Sequence, residues 1–171
     1  YRGFWWWTAA QWLGTLGLAL QVLRESHPAL LPLSNLLLLQ WPIVTLTGVR
    51  RFFPRHALGI PPLADALVFA AAYLLWLATW AGGANAHMRV EAFGAASCLL
   101  HLYSAALTTK LRGFQRSSAL NALVVTQCIA AAVQTMRVVQ ADFVSVPWLA
   151  GDDMMLASGL VTLMLALAMV Y

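Results

Sequence analysis

Long apolar stretches, each about the length of a bilayer-crossing helix, alternate along this chain with short clusters of proline, glycine and charge. Six such stretches occur, at about 4–23, 31–49, 63–82, 89–109, 118–140 and 149–171. A helix of roughly 20 residues covers a hydrocarbon core about 30 Å thick. The stretches are continuously apolar rather than alternating every second residue, so they predict helices and not the strands of a barrel; in lipid a helix satisfies its own backbone polar groups. The expected fold is all-α: one polytopic membrane bundle of six transmembrane helices covering residues 1–171.

Helix breakers set the boundaries. Pro28 and Pro32 separate the first two spans, and Pro54, Gly59, Pro61 and Pro62 the next two. The Gly82-Gly83-Ala84-Asn85 turn closes the third span, Gly113 and Arg116-Ser117-Ser118 divide the fourth from the fifth, and Pro147 and Gly151 precede the sixth. Ser117 or Ser118 is a suitable N-cap. Pro42, inside the second span, removes a backbone donor and predicts a kink.

Composition agrees: apolar residues make up 61% of the chain and charged residues 9%, against roughly 45–50% and about 25% in an ordinary soluble domain. The placement of the cations adds a direction. The loop after span two carries Arg50, Arg51 and Arg55, and the loop after span four carries Lys110, Arg112 and Arg116, with no acid in either. The other side is nearly balanced or acidic: Arg24 with Glu25, Arg89 with Glu91, and then Asp142, Asp152 and Asp153. With Arg2 before the first span, seven cations fall on one side and two on the other. The positive-inside rule then puts both arginine-rich loops and the C-terminus in the cytoplasm of a bacterial inner membrane. Phe52 and Phe53 suit the headgroup layer, and the six loop cations suit lipid phosphate.

Arg137 stands apart because it falls within span five. At about 100° per residue, Gln127 and Gln134 share a helical face and Arg137 lies roughly 60° from Gln134, so the three form a polar stripe that should turn away from lipid. This is the candidate ligand-binding stripe, attractive to an anion, with Asn35, Glu91 and Asp152 as candidate companions. Asp152 and Asp153 equally suit a helix N-terminus, and Asn35 can cap the second span or bridge to a neighbour. Asp65 is placed to interact with its own helix N-terminus or to pair with Arg50 or Arg55.

His101 lies near mid-depth with Cys98 and Ser97 beside it, and Cys128 lies at similar depth. No His-x3-His or Cys-x2-Cys spacing accompanies them, so neither metal nor cofactor is expected, and the thiols read as packing groups. Trp5, Trp6, Trp7 and Trp148 fit an interfacial belt, whereas Trp12, Trp41, Trp76 and Trp80 lie deeper. Ala10 with Gly14 and Gly94 with Cys98 have the spacing of closely approaching helices. No catalytic constellation is present, and this chain by itself is not expected to be an enzyme.

The order Trp5-Trp6-Trp7, Ala10, Gly14, Arg24, Pro28, Leu33, Asn35, a leucine run and Gly48, Arg50, Arg51, Phe52 resembles the multi-helix membrane domain that precedes GGDEF output domains in many bacterial diguanylate cyclases. The likeness covers residues 3–53; beyond them only the number and length of helices agree. The chain holds no GGDEF motif, and Gln40-Trp41-Pro42 departs from the pattern. What the resemblance implies is a sensory bundle, commonly with a seventh, N-terminal helix that this chain lacks. The bundle would be coupled through its last helix to a cytoplasmic output domain in cis that makes cyclic di-GMP. It also implies a homodimer, for which Met154, Met155, Met164 and Met169 make span six adaptable. The partners expected are therefore the lipid bilayer, an unknown small ligand, the output domain and a second copy, and no nucleic acid. The alternative is a self-contained integral-membrane transporter or enzyme.

Overall fold

The computed structural model describes residues 3–24, 26–53, 58–112 and 118–143, and every element within them is helical. Helix α1 covers Phe4–Val22. A 3-10 turn at Pro28–Leu30 leads into α2 (Leu31–Leu39) and α3 (Trp41–Phe52), followed by α4 (Pro62–Ala81), α5 (Ala86–Arg112) and α6 (Ser118–Phe143).

Four stretches are long and apolar enough to cross a membrane: Pro28–Phe52, Pro62–Ala81, Ala86–Leu111 and Ser118–Val139. They coincide with expected spans two to five. Helix α1 has 19 residues, about 28 Å at the usual rise, but its four tryptophans and two glutamines lower its apolarity and it is not among the four. The sixth expected span, 149–171, lies outside the described residues, and with it Asp152 and Asp153.

Local chemistry explains the boundaries. Pro61 is extended (ψ 149°) and Pro62 opens α4, where a missing backbone donor costs nothing. Gly83, with φ 71°, takes the chain out of α4 through a left-handed turn that favours glycine. Asn85 then caps α5, its side-chain oxygen accepting the Met88 N–H at 2.8 Å. The kink expected at Pro42 takes the form of a break at Gln40, with Pro42 in the first turn of α3.

Helix α1 runs antiparallel to α2 and α3 and is held along its length. Gly17 packs on Leu37 and Leu38, Gly14 on Trp41, and Gly48 lies beneath the Trp7 indole and against the Gly3 backbone. Bonds fasten both ends: Trp7 Nε1 donates to the Thr45 carbonyl at 3.1 Å, and Ser34 Oγ to the Gly17 carbonyl at 2.9 Å. Gln21 Nε2 donates to Asn35 Oδ1 at 2.7 Å. Helices α5 and α6 make a second close pair, in which Gly94 faces Val138 and the Gln134 backbone, and Cys98 Sγ lies 3.3 Å from Thr135 Oγ1.

Two apolar clusters fill the interior. One joins Leu39, Ile43, Ala72, Trp76, Phe93, Ala96 and Leu100; the other joins Leu46, Val49, Leu58, Leu107, Leu111, Leu120 and Leu123, with Trp7 packed against it. The second cluster brings the start of α1, the end of α3, the end of α5 and the start of α6 to one end of the bundle. Asp65 at the start of α4 joins them through Arg50. Arg50, Arg51 and Lys110 therefore share one end, as expected of the two basic loops. Helix α4 is the most peripheral element, turning Leu63, Leu67, Leu74 and Leu75 outward, the face an apolar solvent would cover.

Candidate functional site

Three polar groupings interrupt this apolar interior. At the basic end, Arg50 Nε and Nη2 donate to the two Asp65 carboxylate oxygens at 2.7 and 2.9 Å, and Nη1 donates to the Ile60 carbonyl at 2.8 Å. Tyr103 completes the group, its hydroxyl donating to Asp65 Oδ1 at 2.7 Å. The two charged side chains are 14% and 4% exposed. Bidentate, charge-assisted bonding of this kind joins α3, α4 and α5 in one clamp. It corrects the place given to Arg50 among the lipid-facing cations, since its guanidinium turns inward; Arg51 alone of that adjacent pair is exposed. Arg55 and Arg116 lie outside the described residues, and the side chain of Arg112 is not described.

The second grouping lies between the two apolar clusters. His101 Nδ1 and Gln127 Oε1 are 2.5 Å apart, an imidazole N–H donating to an amide oxygen. The Trp41 ring packs against the imidazole with centroids 5.6 Å apart. Ser97, His101, Ser104 and Thr108 recur at helical spacing along one buried face of α5. Thr108 satisfies itself on the Ser104 carbonyl at 2.8 Å. Other groups find no partner in the protein: both amide atoms of Gln40, Gln127 Nε2, Thr45 Oγ1 and Ser104 Oγ are buried without a hydrogen bond. Each unpaired buried polar group costs about 1–3 kcal/mol, so several around one point favour a hydrogen-bonding guest.

The third grouping is at the opposite end. Arg137 Nη1 donates to Gln134 Oε1 at 3.2 Å, and His87 Nδ1 lies 3.2 Å from Glu91 Oε1 within the first turns of α5. The expected stripe is thus divided: Gln134 and Arg137 pair with each other, while Gln127 belongs to the His101 centre. Asn35 is not a cap. The 3-10 turn starts the helix earlier, which leaves Asn35 one turn inside α2, bridging to Gln21. Asp152 lies outside the described residues. Of the deep tryptophans, Trp41 and Trp76 are buried, Trp80 is half-buried and Trp12 faces outward.

Gln40, Ser104, Thr45 and Gln21 had not been singled out in the sequence. The Ser97–His101–Ser104–Thr108 spacing was a usable signal for Ser104; for Gln40, only its position before Trp41-Pro42 pointed to it. No His, Cys, Asp and Glu grouping able to hold a metal occurs among the described residues.

Fold and site together define a helical bundle with four helices of membrane-crossing length and a polar centre shared by α3, α5 and α6. Comparison with protein-family profiles, with curated proteins and with solved structures finds no match to this chain.

Proposed function

We propose that this chain is the membrane-embedded input part of a bacterial signalling protein, passing a signal received inside the bundle to a cytoplasmic output domain in cis. The observation that carries the input role is the buried His101–Gln127 pair, ringed by polar groups that the protein leaves unpaired. Polar groups in a membrane interior are costly and mark functional positions. The output assigned, a diguanylate cyclase making cyclic di-GMP and working as a homodimer, rests on the resemblance of residues 3–53 alone. The cytoplasmic side is assigned to the basic end by the seven-to-two distribution of cations.

Signal transfer follows from the way the helices are tied. The Arg50–Asp65–Tyr103 clamp holds α3, α4 and α5 together at the basic end. The break at Gln40 separates the outer half of the second span from that clamped half. A ligand that binds one setting of this break better than the other shifts the population toward it.

The test is the complete gene product expressed in cells, with cyclic di-GMP measured beside membrane abundance. Gln127→Leu, which removes the amide and keeps the volume, is expected to change output severalfold at equal abundance. Unchanged output in this variant, or no cyclic di-GMP synthesis by the complete protein, contradicts the proposal. The same buried polar atoms also favour a second reading, a self-contained transporter, which predicts solute uptake by proteoliposomes holding the protein alone.

A further inference from the structure

We propose that the polar centre beside the α2–α3 break is a binding site for a flat, uncharged, lipid-soluble molecule bearing carbonyl oxygens, the chemistry of a quinone headgroup. The inference rests on the input role above for its consequence and names the class of ligand that role requires.

Three helices converge here. Trp41 of α3 packs on His101 of α5, which donates to Gln127 of α6. Gln40 adjoins Trp41 at the break and is 8% exposed, with neither amide atom paired. Gln127 is fully buried; His101 occupies its oxygen, which leaves its NH2 group without an acceptor. Ser104, one turn along α5 from His101, is fully buried with a hydroxyl free to donate.

The complement of these groups is rich in acceptors. Two amide NH2 groups and a hydroxyl, on three separate helices, ask for oxygens that accept, and two carbonyls on a ring meet two of them at once. The guest is uncharged because the described ion pairs and guanidinium groups lie toward the helix ends, at Arg50–Asp65, His87–Glu91 and Arg137. It is flat because the indole of Trp41 and the imidazole of His101 form its walls. Lipid solubility follows from burial in a bundle whose outward faces are apolar: the guest arrives through the bilayer. Water meets the hydrogen-bonding demand, but it brings donors in equal number with acceptors and gains nothing from two aromatic walls.

The test uses the full-length protein in phosphatidylcholine nanodiscs titrated with ubiquinone-1, reading tryptophan fluorescence and the thermal midpoint. The wild type is expected to show saturable quenching and a rise in midpoint on adding the quinone. Trp41→Phe should lose much of the saturable amplitude, and Gln40→Leu and Gln127→Leu should each weaken binding at least tenfold. Ser104→Ala, which preserves the packing, should weaken it severalfold. Gln21→Leu, at the distant α1–α2 bond, should leave binding unchanged. Quenching that never saturates, or equal affinity in the Gln40→Leu, Gln127→Leu and Ser104→Ala variants, overturns the proposal. So does a Gln127→Leu protein of raised midpoint beside a wild type that quinone does not shift, the result expected of amides that hold water only. Quinone binding without any effect on cyclic di-GMP leaves this site standing and removes the input role; altered output in Gln127→Leu without quinone binding does the reverse.

Discussion

Asp65 shows how a single carboxylate can organise three helices when lipid surrounds them. It accepts two bonds from Arg50 and one from Tyr103 at 4% exposure. Removing one partner of a buried ion pair strands the other, so Asp65→Ala should lower stability by about 3–5 kcal/mol, measured by denaturant unfolding in mixed micelles followed by circular dichroism. Tyr103→Phe removes only one bond to a charged group and should cost about 1.5–3 kcal/mol. A loss from Asp65→Ala no larger than that from Tyr103→Phe would contradict the clamp. The pairing of Asp65 with Arg50 was legible because the two flank one short connection. The part played by Tyr103 was not, since it lies 38 residues from Asp65, and no local pattern reports a contact at that separation. Gln127 and Asn35 were legible as polar residues that should avoid lipid; their partners, His101 and Gln21, come from other helices and were not.

At the scale of elements, close approach between helices depends on a few glycines. A Cβ at Gly94 would run into the Val138 side chain, and overpacking of this kind costs about 1–3 kcal/mol. Gly94→Ala should therefore destabilise the α5–α6 pair, and Val138→Ala in the same chain should restore part of the loss, a coupling that a double-mutant cycle measures. Helix α1 makes a second case. Gly48→Leu would displace the Trp7 indole and release one end of α1. In a protein without native cysteines, oxidative crosslinking of Gln21→Cys with Asn35→Cys should then fall in yield; an unchanged yield would mean that the two ends of α1 are not coupled. Helix boundaries were readable to within a few residues because proline and glycine end helices by geometry and not by context. Helix α5 extends three residues beyond expectation at each end, since the Asn85 cap starts it earlier and the second apolar cluster supports its last turn through Leu111. The break at Gln40 was visible only as a kink at Pro42.

For the whole molecule, alternating direction along the chain brings Trp7, Arg50, Asp65 and Leu111 to one end and Gln21, Asn35, Trp80 and Gln134 to the other. That arrangement agrees with the threading read from loop charge, and every step of the signalling account depends on it. A bundle inserted the other way round would present the Arg50 clamp to the periplasm and leave the polar centre with no output to address. The most direct measurement is substituted-cysteine labelling in intact cells, in a background with Cys98 and Cys128 replaced by alanine, using a maleimide that does not cross the membrane. Gly83→Cys is expected to react from outside, whereas Arg51→Cys is expected to react only after the membrane is opened. Labelling of Arg51→Cys in intact cells, with Gly83→Cys protected, would contradict the account.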